Sequence, residues 1–211
     1  MVHVGANIHA MTSPRIARDA ALHADAERPS RREQILRAAA QLFAERGSRA
    51  VGVDDVGAAV GVTGPAIYRH FASKDAMLAE MLLRISERLL AGGSERVAAA
   101  GEDPAVQLRA LIDFQVEFAL DNPALITVQD RDLGSLPAAE AAEVRRLQRR
   151  YVEVWVSVLT RLHPGADAAS CRARAHAVFG LINSTPHSAG RLGRPAMATL
   201  LTGMAWAAAT G

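Results

Sequence analysis

The chain is poor in cysteine, lysine and aromatic residues, and it lacks long apolar runs. A single cysteine, Cys171, among 211 residues leaves no intramolecular disulfide to form. That sets aside the disulfide-stapled secreted scaffolds and fits a reducing compartment. No apolar run approaches the roughly twenty residues that a membrane-spanning helix needs. Met1 to His9 lacks the basic-then-apolar plan of a secretory signal. The expectation is a soluble, cytoplasmic protein. Valine and threonine rarely alternate with polar residues, so the strand signature is missing. The catalytic signatures are missing too. Ser, His and Asp occur outside any nucleophile-elbow context, and no glycine loop is built to cradle phosphate. His163, Cys171, His176 and His187 match no common metal-ligand spacing. The chain is therefore expected to be no enzyme and to need no metal or cofactor. Lysine occurs once, at Lys74, and the other 23 basic residues are arginines, as a GC-rich genome produces without functional meaning.

What is present is helical. Half of the residues are hydrophobic, aromatics make up 4%, and alanine, the best helix former, is abundant throughout. The net charge is +2, and its distribution says more than its size. Residues 1–29 balance three arginines with three acids, and residues 76–211 balance fourteen with fourteen. Residues 30–75 carry seven basic residues (Arg31, Arg32, Arg37, Arg46, Arg49, Arg69, Lys74) against five acids. The positive excess thus sits in one short segment, as a compact nucleic-acid reader requires.

Three stretches follow from the pattern. Residues 1–29 read as a flexible arm, with a short helix around 16–26 as an option. Residues 30–76 read as a small helical head. Ser30-Arg31-Arg32-Glu33 is a capping box opening a helix with Ile35, Leu36, Ala39, Leu42 and Phe43 on one face, ended by Gly47. A second helix spans 54–60. Gly61-Val62-Thr63 forms a tight turn, and Thr63 caps a third helix with Pro65 in its first turn, running to about Phe71. Residues 77–211 read as a helical body. Its first helix, capped by Ser73, carries the stripe Met77, Leu78, Met81, Leu82, Ile85 and Leu89, and Gly92-Gly93 is expected to break or kink it. Later helices are expected from Asp103-Pro104 to about 120, from Asn122-Pro123 to about 129, over 138–162, over 167–189 and over 195–209. The fold class is all-α.

Two short helices joined by a three-residue turn make the layout of a helix-turn-helix, whose second helix enters the major groove. Gly61-Val62-Thr63, Ile67-Tyr68-Arg69-His70-Phe71, Ser73-Lys74-Asp75 and Leu78 together resemble the signature of the tetracycline-repressor (TetR) family. The likeness covers about residues 31–80; the rest agrees only in layout. It implies that Thr63, Gly64 and Pro65 lie nearest the bases. It implies that Tyr68, His70 and Lys74 meet the DNA backbone, with Arg49, Arg69 and the region of Arg31 and Arg32 as further contacts. The sequence also departs from the family pattern. Val51-Gly52 offers no side-chain cap to helix two. Gly57 replaces a common alanine, softening that helix by about 1 kcal/mol. Gly64-Pro65 replaces a frequent Lys-Gly pair, so base readout is thin and shape and phosphate contacts are expected to matter more.

The resemblance further implies a homodimer joined through the last two long helices, for which Val178, Ile182, Leu200, Leu201 and Met204 are candidates. It implies a ligand pocket in the body, with Leu82, Ile85, Leu89, Leu111, Phe114, Gln115, Phe118, Ile126, Tyr151, Trp155 and Phe179 as candidate lining. Their character suggests a hydrophobic or amphipathic effector. Arg145, Arg146, Arg149 and Arg150 read as a solvated face, with docking of a carboxylate, phosphate or coenzyme A thioester as the alternative. The expected function is an effector-released regulator, by habit a repressor, on a palindromic operator. The alternative is an architectural or orphan DNA-binding protein without effector.

Overall fold

In the computed structural model, which describes residues 29–188 and 192–211, every regular element is helical among those residues. The order is α1 (Arg31–Arg46), a 3₁₀ turn (Ser48–Ala50), α2 (Val53–Val60), α3 (Gly64–Ile67), α4 (Lys74–Ala99), α5 (Pro104–Asp121), α6 (Pro123–Asp132) with a 3₁₀ turn after it (Leu133–Ser135), α7 (Ala138–Leu162), α8 (Ala168–Ile182), α9 (Thr185–Ser188) and α10 (Arg194–Thr210). The arm expected over 1–29 lies almost wholly outside the described residues.

Local chemistry sets most boundaries. Ser30 Oγ accepts from the Glu33 amide at 3.3 Å while the Glu33 carboxylate accepts from the Ser30 amide at 2.8 Å. Accepting from the Ser30 backbone, and then from its hydroxyl, holds the Glu33 carboxyl below its ordinary pKa. Ser73, Asp103 and Asp167 cap α4, α5 and α8 with their side chains. Thr63 and Asn122 stand at cap positions but make no side-chain cap bond, against expectation. The Asn122 amide donates backwards to the Phe118 carbonyl at 2.9 Å instead. At α2 the missing cap is half replaced: the Asp55 carboxylate accepts from the Gly52 amide at 2.7 Å. The third helix is shorter than expected. Beyond Ile67 the chain tightens, with the His70 and Phe71 amides both donating to the Ile67 carbonyl.

Ile35, Ala39, Phe43, Val56, Ile67 and Phe71 close the core of the first three helices. The stripe on α4 is buried as its spacing predicts, against α5 and α7. Gly92-Gly93 neither breaks nor kinks this helix into two elements, because the glycines serve packing. A Cβ on Gly92 would lie 2.5 Å from Phe114 Cζ, and one on Gly93 would lie 2.5 Å from Tyr151 Cε2. Two aromatic rings press directly on the α4 backbone, which only glycine permits. Since α4 begins at Lys74 and ends at Ala99, the boundary placed at 76/77 falls inside one continuous rod.

Candidate nucleic-acid interface and ligand pocket

The turn between α2 and α3 is built on two glycines. Gly61 takes the left-handed conformation (φ 72°, ψ 35°). Gly57 lies where a Cβ would come 2.8 Å from the Val62 carbonyl oxygen. The glycine that softens α2 is therefore what lets the turn fold back on it, and the Val62 amide donates to the Gly57 carbonyl at 2.9 Å. With Ile67 and Phe71 locked inside, the opposite side of α3 faces outward. Thr63, Pro65, Tyr68 and Arg69 are exposed and His70 is half-buried. Tyr68 is 56% exposed, the most open of the large hydrophobic residues described. Arg49 is exposed on the neighbouring 3₁₀ turn, and its carbonyl accepts from Lys74 Nζ at 3.4 Å. Lys74 and Arg49 are thereby brought together at the start of α4.

Three sequence expectations change here. Gly64 is buried, because the Asp54 carboxylate lies against its Cα where a side chain would stand. The glycine accommodates α2, not a duplex. Arg32 is not free to reach outward: it donates to the His70 carbonyl and to both oxygens of Glu80, and its guanidinium covers the Phe71 ring at 4.2 Å. Arg31 donates to the Val60 carbonyl at 3.2 Å, closing the end of α2. Both arginines are struts of the head, engaged by acceptors that sequence spacing does not reveal.

The body holds a cavity of about 460 Å³ walled by α4, α5, α6, α7 and α8. Leu89, Gln115, Tyr151 and Phe179 line it as expected. Leu82, Leu111, Phe114, Ile126 and Trp155 do not; they are buried core. Ile85 and Phe118 line a different cleft, on the other side of α4. The floor is a polar relay. Tyr151 Oη donates to Gln115 Oε1 at 2.9 Å, and Gln115 Nε2 donates to Asn183 Oδ1 at 3.2 Å. Burial pushes the Tyr151 phenol well above its ordinary pKa, so it stays a neutral donor. Phe179 packs on both Tyr151 and Trp155, with ring centroids 5.6 and 4.9 Å apart. Arg145, Asp130 and His176 stand around the opening. Desolvation raises the Asp130 carboxyl above the usual carboxylate range, partly opposed by His187. Sequence reasoning missed Ser86, Asp130, His176 and Asn183. The signal for Ser86 was present as a polar residue inside the apolar stripe of α4.

Asp132, at the end of α6, faces the head from the far side of the same helix. Its Oδ1 accepts from Ser48 Oγ at 2.8 Å, and both residues are buried. Arg131 beside it donates to the Phe43 carbonyl and, at 3.2 Å, to the Ala44 carbonyl, satisfying the end of α1. Gln129, Asp130 and Leu133, on the same turn, line the cavity. One segment thus touches the cavity and grips the head.

The expected dimer residues divide. Val178, Ile182 and Leu201 are buried in their own protomer and cannot meet a partner. Leu200 and Met204 are each 47% exposed. With Gly203 and Ala207 they form an open apolar face on α10, beside exposed Ala173, Ala177 and Gly180 on α8.

The profile of bacterial regulatory proteins of the tetR family matches residues 35–81, and that of the tetracyclin repressor-like C-terminal domain matches residues 101–208. The chain belongs to the TetR family. Among curated TetR-family relatives it is similar to the transcriptional repressor KstR2 of Rhodococcus jostii, 32% identical over 130 residues. That match covers 61% of this chain and 63% of the relative, so the chain spans less than two thirds of the relative's length. Its fold is similar to that of the ketosteroid transcriptional regulator KstR2 of Mycobacterium tuberculosis (TM-score 0.73, 22% identity, 86% of this chain and 95% of that one). It is also similar to AibR in complex with isovaleryl coenzyme A and operator DNA (TM-score 0.70, 18% identity, 84% and 98%). At these identities the two structures establish the fold.

Proposed function

We propose that this TetR-family regulator binds a two-part DNA operator as a homodimer, acts as a repressor, and is released by a small effector held in the body cavity. One observation carries the reading: Pro65 on α3, Thr63 just before it, and Tyr68 and Arg69 in the turn just after it stand exposed, while Ile67 and Phe71 lock the other side into the core. Such a helix fits a major groove, with Arg49, His70 and Lys74 placed for phosphates. With Gly64 covered by Asp54, few groups remain to read base edges. Specificity then requires two heads on two half-sites, and shape readout between them. Leu200, Gly203, Met204 and Ala207, with the small residues of α8, are the face for pairing as a four-helix bundle.

The cavity floor narrows the effector. Gln115 and Asn183 retain amide hydrogens beyond their relay, so they fit a carbonyl or hydroxyl oxygen, while Leu89, Val152 and Phe179 fit an apolar body. Arg145 at the opening favours an anionic end. The effector is amphipathic, not purely hydrophobic. A ketosteroid and isovaleryl coenzyme A, named with the two similar structures, both carry a carbonyl on an apolar unit, and the second adds phosphates. Effector and head communicate through α6, whose Arg131 and Asp132 hold α1 and the 3₁₀ turn while its neighbours line the cavity. A ligand preferring another position of that turn shifts the head population.

Selection of bound duplexes from a random pool tests this reading, followed by a screen for compounds that release the enriched site. A two-part palindrome released by an amphipathic compound is expected. A single unpaired motif contradicts the twofold dimer, and a site that no compound releases favours the orphan regulator.

A further inference from the structure

We infer that the cleft between the head and the body is a second ligand site, for an amphipathic anion with a long hydrocarbon chain. The cleft has a volume of about 770 Å³, in the range of small-molecule sites. It shares no lining residue with the body cavity, and α4 divides the two: Ile85 faces the cleft, while Ser86 and Leu89 face the cavity. One wall is α1 of the head; the others are α4 and the junction of α5 with α6.

The floor is apolar, made by Leu36, Ala40, Met81, Ile85, Phe118 and Leu125. Its rim carries Arg37, Arg84 and Arg88. The acids nearby are already engaged. Glu33 accepts from the Ser30 backbone in the α1 cap, Asp121 pairs with Arg194, and Glu80 serves Arg32 and Arg84. Among the described residues, no carboxylate lies within 4.0 Å of Arg37 or Arg88. The Arg88 guanidinium rests over the Phe118 ring at 5.6 Å, at the boundary between the cationic rim and the apolar floor. Arg88 and Arg37, neither in a salt bridge, although the Glu33 carboxylate on the same wall acts on Arg37 from further off, stand above an apolar trough and match a carboxylate or phosphate headgroup followed by an alkyl chain. Because the walls belong to both head and body, such a ligand wedges between them, and operator affinity and ligand affinity are then reciprocally coupled.

Isothermal titration of the full chain with laurate, and with lauryl alcohol as the uncharged control, tests the assignment. Arg37→Ala/Arg88→Ala is the cleft variant, and both residues are exposed, so the fold is retained. Arg145→Ala is the variant at the body cavity. Saturable binding of laurate is expected, weakened at least tenfold in the cleft variant, unchanged in Arg145→Ala, and weaker for the alcohol. Three results overturn the inference: no binding of laurate, equal affinity in the cleft variant, or loss only in Arg145→Ala. The last would assign the fatty anion to the body cavity. The titration needs no operator, so its failure leaves the DNA reading standing, and a failed operator selection leaves this site standing.

Discussion

The Ser48 hydroxyl donates to the Asp132 carboxylate at 2.8 Å across 84 positions of sequence, in a buried contact that joins the 3₁₀ turn of the head to the end of α6. Removing the hydroxyl leaves Asp132 Oδ1 without that donor away from water, while Arg131 still donates to Oδ2 at 3.1 Å. Ser48→Ala is expected to cost about 1–3 kcal/mol of stability. If α6 transmits the effector signal, the same variant also narrows the difference in operator affinity with and without effector. Denaturant unfolding beside operator titration separates the two effects. An unchanged effector response places the coupling elsewhere.

Lys74 is the sole lysine and lies beside the carbonyl of Arg49. Lys74→Ala is expected to weaken binding to specific and random duplexes alike. The slope of log affinity against log salt should fall by about one unit per head. Fluorescence anisotropy over a salt series measures this. A loss confined to one DNA sequence would mean that Lys74 reads bases.

Gly93 touches the ring of Tyr151, which in turn holds Gln115 at the cavity floor. Gly93→Ala gains helix propensity, yet its methyl would meet the ring, so a net loss of about 1–3 kcal/mol is expected from overpacking. Gly134→Ala, whose methyl meets nothing within 4 Å, is expected to stay within about 0.5 kcal/mol of the parent. Thermal unfolding compares them. A stabilised Gly93→Ala would show that the ring yields freely.

Signals that act within a few residues were legible in the sequence. The Ser30 capping box, the α4 stripe and the span 138–162 follow from spacing alone, because a helix repeats its faces and satisfies its own ends locally. Contacts between distant residues were not. Nothing in the spacing shows that Asp54 covers Gly64, that Arg32 is held by Glu80, or that Gly92-Gly93 seats two rings. The division of the last two helices failed for the same reason. Val178 and Leu200 are equally apolar, and only the packed fold shows that the first faces inward and the second outward.

The exposure of Tyr68 underlies the whole functional account, and its removal tests that account most directly. Operator affinity of Tyr68→Ala is measured by anisotropy on the duplex enriched by selection, with circular dichroism to verify the fold. At 56% exposure the ring contributes little to the core, so an unchanged helical spectrum and thermal midpoint are expected. Tight operator binding is expected to be lost. Parent-like affinity in the folded variant would contradict the placement of α3 against DNA.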